Sequence, residues 1–175
     1  MSLDHAEIRD RFHLELGRMV HAHSLFDFNI GIAFGWMGPH IGEDHSNLLV
    51  GTMPLANRLK ALKPVMLTMY EAAGEEALSE IERWFAKACN LKAIRNDYVH
   101  ARWGIPGSSD SDDPVLRMLP MTWNFSSDQA AASSKVALSA LSKERADIEE
   151  LSGQLFKLHK KYAKYAPRAK GIWTK

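Results

Sequence analysis

The run EEALSEIERWFAKACNLKAIRNDYVHARW, residues 75–103, decides the fold, because it reads as one long helix with two different faces. Ile81, Trp84/Phe85, Ala88 and Leu91, continued by Arg95 and Val99, recur at helical spacing and predict the face turned toward a core. Beside them Ala86, Cys89, Ala93, Asn96 and His100 follow one another at spacings of 3, 4, 3 and 4. This second stripe opens with small residues, which let another helix approach closely, and closes with polar ones. It predicts a helix–helix seam. Gly104 and Pro106 break the pattern just beyond it.

Working outward, Pro54 to Ala73 predicts a second helix carrying Leu55, Leu59, Leu62, Met66, Met69 and Tyr70, kinked at Pro64. Gly74 parts it from the long helix. About Leu3 to Trp36 predicts the first helix, with Ile8, Phe12, Leu16, Met19, His23, Phe26, Ile30 and Phe34 in rhythm. Asp4 is placed to cap it, and Gly35, Gly38 and Pro39 are expected to end it. A loop through Gly42, Asp44 and Ser46 comes next, with a short apolar stretch at Leu48–Val50. Downstream, GIPGSSDSDDP at 104–114 is turn-rich and acidic, and Val115 to Trp123 is strand-like. Ser133 to Tyr165 predicts the last helix, burying Val136, Leu138, Leu141, Ile148, Leu151, Leu155 and Leu158. The expected fold is all-α: an up-and-down bundle of four to five helices with a small β-hairpin-like insertion near residues 104–126. It forms a single domain over residues 1–175.

Composition limits the function classes. One Cys in 175 residues excludes a disulfide framework and a Cys-rich zinc site, and it fits a reducing compartment. The N-terminus shows no basic segment followed by an apolar run, and Ile30–Met37 is too short to span a membrane. A cytoplasmic location without membrane attachment is expected. From Lys157 to Lys175 the chain carries seven basic residues and no acidic one, on a net charge of +1, so the remainder is acidic by six. A basic tail of this kind attracts polyanions and also solubilises a C-terminus.

The end of the long helix holds the chemistry. Arg95 is followed at once by Asn96 and, after four intervening residues, by His100. An Arg presents a planar fork of donors to phosphate oxygens, an imidazole exchanges protons near neutrality, and a carboxamide orients either one. Asn96 and His100 lie one turn apart on one face. Arg95 and His100 point roughly 140° apart at 3.6 residues per turn, so one regular helix does not converge them. Two copies meeting about a two-fold axis can. The ordinary structural reading has Arg95 and Asn96 satisfying carbonyls or an acidic neighbour and His100 capping the helix. A metal reading draws on Asp10 with His13, on His23 with Asp27, and on the loop residues His40, Glu43, Asp44 and His45. It lacks the second carboxylate–histidine set that a helical di-metal site requires, so neither metal nor cofactor is expected.

Arg95, Asn96 and His100, set at the end of this helix after MPLANRLKAL (53–62) and before a strand-like excursion and a late amphipathic helix, resemble the signature of the HEPN superfamily. The resemblance extends from about residue 10 to residue 160. It implies a helical domain, a homodimer whose motif helices meet through Ala86, Cys89, Ala93, Asn96 and His100, and metal-independent RNA cleavage of toxin or defence type. His100 would move the proton of the ribose 2′-hydroxyl or of the leaving oxygen, Arg95 would hold the phosphate, and Asn96 would orient His100 or donate to the phosphate. Tyr98, Arg102, Lys160, Lys161 and Lys164 are the expected RNA contacts, and an antitoxin or another protein is a further expected partner. The same resemblance admits a second class: an inactive module that binds RNA or a partner protein.

Overall fold

The structure, a computed structural model, describes residues 4–41, 52–104, 113–119 and 134–166. Among them four α-helices carry the fold: α1 (His5–Ile41), α2 (Leu55–Met69), α3 (Glu75–His100) and α4 (Leu138–Tyr162). Short 3-10 turns, Glu71–Ala73 and Ala163–Tyr165, come after α2 and α4. Strands β1 (Arg102–Gly104), β2 (Val115–Leu119) and β3 (Ser134–Ala137) make an antiparallel sheet in the order β1-β2-β3. The fold class is a helical bundle with a small sheet, as the periodicity predicts.

Three boundaries differ from those the sequence predicts. First, α1 runs through Gly35, Gly38 and Pro39 to Ile41. A glycine lowers helix stability by about 1 kcal/mol and a proline by about 3, costs that fall here on the last turns of a long helix already nucleated upstream. Second, α2, with Pro64 inside it as expected, stops at Met69 and not at Ala73, and Glu71–Ala73 tighten into the 3-10 turn ahead of Gly74. Third, Ser134–Ala137 is a strand and not the first turn of the last helix. Val136 pairs with Leu116 and both are buried, so a non-local pairing overrides the helical period there. The helix α4 then starts under a cap from elsewhere in the chain: the Ser139 amide and hydroxyl donate to the two Asp113 carboxylate oxygens, at 2.9 and 2.5 Å. Leu48–Val50 and most of the 104–126 insertion lie outside the described residues; Gly104, Asp113, Pro114 and β2 fall inside.

The chain forms two compact units. The first comprises Met1–Ser24 and Leu91–Glu149. Its buried apolar residues are Ile8, Phe12, Met19 and Ala22 from α1, Leu116 and Val136 from the sheet, and Leu141 and Ile148 from α4. The Phe12 ring lies 4.7 Å from that of Trp103. Glu15 accepts from Arg18 at 2.6 Å and from the Ser142 hydroxyl at 3.1 Å, with Arg145 at 3.6 Å. Burial raises the Glu15 pKa, but these hydrogen bonds and the two guanidinium charges outweigh it and hold the carboxyl below its usual range.

The second unit comprises Leu25–Asn90 and Glu150–Lys175. It buries Phe26, Ile30 and Phe34 of α1, Leu59, Leu62 and Met66 of α2, Ile81, Trp84 and Phe85 of α3, and Leu151, Leu155 and Leu158 of α4. Its buried polar groups are mostly satisfied. The Trp84 indole donates to the Leu151 carbonyl at 2.9 Å, and Asn29 donates to the Ser152 hydroxyl at 2.6 Å. Tyr70, fully buried, shares a 2.6 Å hydrogen bond with Nδ1 of His159. Burial pushes the Tyr70 phenol up to about 12. Gly74 joins the 3-10 turn to α3 at φ 92° and ψ 175°, a conformation that side-chain-bearing residues rarely adopt. No helix of the described residues is long and apolar enough to cross a membrane.

Candidate functional site

The last two turns of α3 lie in the first unit and present the motif there. Arg95 and Asn96 are half-buried, and His100, the final residue of the helix, is exposed. Nη1 of Arg95 donates to Oδ1 of Asn96 at 3.0 Å. Asn96 therefore orients the guanidinium, whereas the motif led us to expect it on His100 or on phosphate. Among the described residues no carboxylate pairs with Arg95, so its remaining donors are not spent on an internal ion pair. No hydrogen bond joins Arg95 to His100, in keeping with their angular separation along the helix.

The first strand of the sheet fixes the end of α3. The Trp103 indole, on β1, folds back to donate to the Tyr98 carbonyl at 3.0 Å, satisfying one of the last unpaired carbonyls of α3. The rings of Trp103 and Tyr98 meet edge to face at 5.7 Å. One face of Tyr98 is thus taken up by packing, and its phenol is raised by burial, then by the charges of Glu144 and Asp97. Glu144 is itself raised, by burial and by neighbouring Asp147. Arg102 sits one strand position earlier than Trp103 and is exposed.

A residue outside the motif also belongs to this site. His23 of α1 is only 6% exposed, and its Nδ1 has no hydrogen-bond partner among the described residues. Burial, followed by the nearby Arg95 charge, pushes the imidazole down to about 4, so it stands neutral beside the guanidinium. A signal for it exists in the sequence: His23 occupies the buried stripe of Phe12, Met19 and Phe26, where an imidazole is unusual. Asp27 accepts from Arg58 at 2.8 Å. Among the described residues no three His, Cys, Asp or Glu side chains gather as a metal site would require.

The remaining candidate residues fall in the other unit or on the surface. Lys160, Lys161 and Lys164 are exposed near the end of α4. Lys161 is engaged by Glu80 at 2.7 Å, and Lys164 lies 4.8 Å over the Tyr165 ring. Arg168, Lys170 and Lys175 of the tail lie outside the described residues, as do Glu43, Asp44 and His45. Along α3, Ala86, Cys89 and Ala93 are exposed together with His100, and Asn96 is half-exposed. No family model, curated protein or solved structure matches this chain.

Proposed function

We propose that this chain is a metal-independent endoribonuclease of toxin or defence type that works as a homodimer. The observation that carries the reading is the arrangement at the end of α3: Arg95 is oriented by Asn96, no carboxylate among the described residues neutralises it, and His100 is exposed one helical turn beyond Asn96. A guanidinium with donors to spare holds a phosphodiester and the charge that develops on it. An exposed imidazole takes the ribose 2′-hydroxyl proton or delivers one to the departing 5′-oxygen. The hydroxyl oxygen attacks phosphorus, the P–O5′ bond breaks, and the products carry a 2′,3′-cyclic phosphate and a 5′-hydroxyl. The exposed small residues Ala86, Cys89 and Ala93 suit a second copy, whose His100 would meet this Arg95. Neutral His23 adds no competing charge behind the guanidinium.

A second reading has its own observation. Within one chain Arg95 and His100 share no hydrogen bond, as a module that binds RNA or a partner protein without cleaving would allow. One experiment separates the two: wild-type and His100→Ala protein are incubated with total cellular RNA and excess EDTA, and fragment ends are sequenced. Cleavage by wild type alone, with cyclic-phosphate ends and DNA left intact, is expected. Intact RNA in both samples overturns catalysis in favour of binding.

A further inference from the structure

Away from the motif, α3 and α4 enclose a groove within the second unit, with a cavity of about 350 Å³. Arg83 and Lys87, one turn apart on α3, line one side, and Lys157 and Lys161, one turn apart on α4, line the other. Trp84, 2% exposed, and Leu158, 5% exposed, line it as well and supply apolar surface. Four cations against one carboxylate, Glu80, leave a net positive field beside apolar surface, where a low-dielectric wall screens it less than water does. Glu80 is the one carboxylate lining the groove among the described residues, and it is already engaged. It accepts from Lys161 at 2.7 Å and from the Tyr162 hydroxyl at 2.5 Å. Among the described residues no carboxylate forms a close ion pair with Lys87 or Lys157, while the Arg83 charge also helps to hold the Glu80 carboxyl below its usual range. Arg83 donates to the neutral Ser79 hydroxyl, at 3.2 Å.

We infer that this groove binds the phosphodiester backbone of a single RNA strand. The lining residues span two turns of each helix, about 10 Å at 1.5 Å per residue, a length suited to a run of phosphates rather than to one small anion. The cations are flexible side chains with Gln154 among them, and such a lining follows a backbone without reading bases. The inference rests on the reading of RNA as substrate. It adds Arg83, Lys87 and Lys157 to the contacts, and it leaves Lys160 and Lys164 outside the groove.

The test uses a short fluorescein-labelled 2′-O-methyl oligoribonucleotide, which has no free 2′-hydroxyl and so is bound without being cut. Its affinity for the full chain is followed by anisotropy across a salt series. Lys87→Gln/Lys157→Gln is compared with Lys60→Gln/Lys135→Gln, a pair of exposed lysines outside the groove that removes the same charge. Circular dichroism checks that both variants fold. Losing two phosphate contacts is expected to weaken binding and to make the log–log salt slope shallower by about 1.4, at about 0.7 per contact for a single strand. The control pair is expected to keep the wild-type slope. Equal losses in both pairs, an unchanged groove pair, no binding by wild type, or displacement of the probe by polyglutamate at matched charge would each overturn the groove. Cleavage of natural RNA, scored in parallel, reports separately: a cutting enzyme with an unaffected groove pair sinks this inference alone. A groove-dependent binder that never cuts sinks only the ribonuclease.

Discussion

The second unit hides its aromatic rings behind satisfied hydrogen bonds, Tyr70 on His159 and Trp84 on the Leu151 carbonyl, while the first leaves the Nδ1 of buried His23 without a partner among the described residues. The second also buries the larger share of the apolar side chains. The first places a neutral imidazole next to the motif arginine instead. A buried nitrogen left unbonded costs about 1–3 kcal/mol, which packing alone gives no reason to keep. The two units thus differ in emphasis: the second, although its Arg58 Nε also lacks a partner among the described residues, buries more apolar side chains and carries a cationic groove, whereas the first keeps an unbonded imidazole where the candidate chemistry lies.

The severest challenge to this contrast is at Trp84. Trp84→Ala is expected to cost about 3–5 kcal/mol in urea unfolding, through lost contacts and a cavity in the denser unit. A loss no larger than that of a surface substitution would show that the second unit is not the stable one. His23 comes next. Its imidazole protonates near 6.5 when unfolded and at about 4 when folded, so between those values the unfolded chain binds the extra proton. Stability is full above pH 6.5 and falls as pH drops toward 4, by roughly 3 kcal/mol over the interval. Unfolding midpoints of wild type and His23→Leu measured from pH 7 to pH 4 should therefore diverge toward acid, with only the wild type losing this increment. Parallel curves would mean that His23 is not held neutral.

Much of the fold was legible because buried residues recur with the helical period. Phe12, Met19, Phe26 and Ile30 mark α1 in this way, as Leu141, Ile148, Leu151 and Leu155 mark α4, and all are buried. The features that sequence alone hid depend on partners distant along the chain. Ser134–Ala137 looks helical until Leu116 is brought opposite Val136. The cap on Ser139 comes from Asp113, and no local motif announces it. At the candidate site the triplet of Arg95, Asn96 and His100 was readable, since the helix supplies its spacing. His23 was legible only as a histidine in the buried stripe of α1; its effect beside Arg95 was not, because that depends on a residue of another helix.

Two smaller effects refine the division between the units. Gly74→Ala is expected to destabilise by about 1–3 kcal/mol, from φ alone, because a methyl there meets no atom within 4 Å. Urea midpoints measure it, and a neutral result would place the turn in an ordinary conformation. Asp113→Ala removes the cap of α4 in the first unit and is expected to cost about 1 kcal/mol. Native-state hydrogen exchange should show faster exchange at the Ser139 amide, with the Leu155 region unchanged. Uniform acceleration through α4 would mean that its two halves open together.

That cap also sets an order of events during folding. A helix capped by its own preceding residue can complete its first turn within microseconds, using local contacts alone. The first turn of α4 instead waits for a carboxylate 26 residues upstream, which β2 brings into place by pairing with β3. Closing that loop costs entropy before any contact repays it, so the amphipathic body of α4 is expected to form early and its N-terminal turn late. The sheet, though small, acts as the clock for the helix that comes after it.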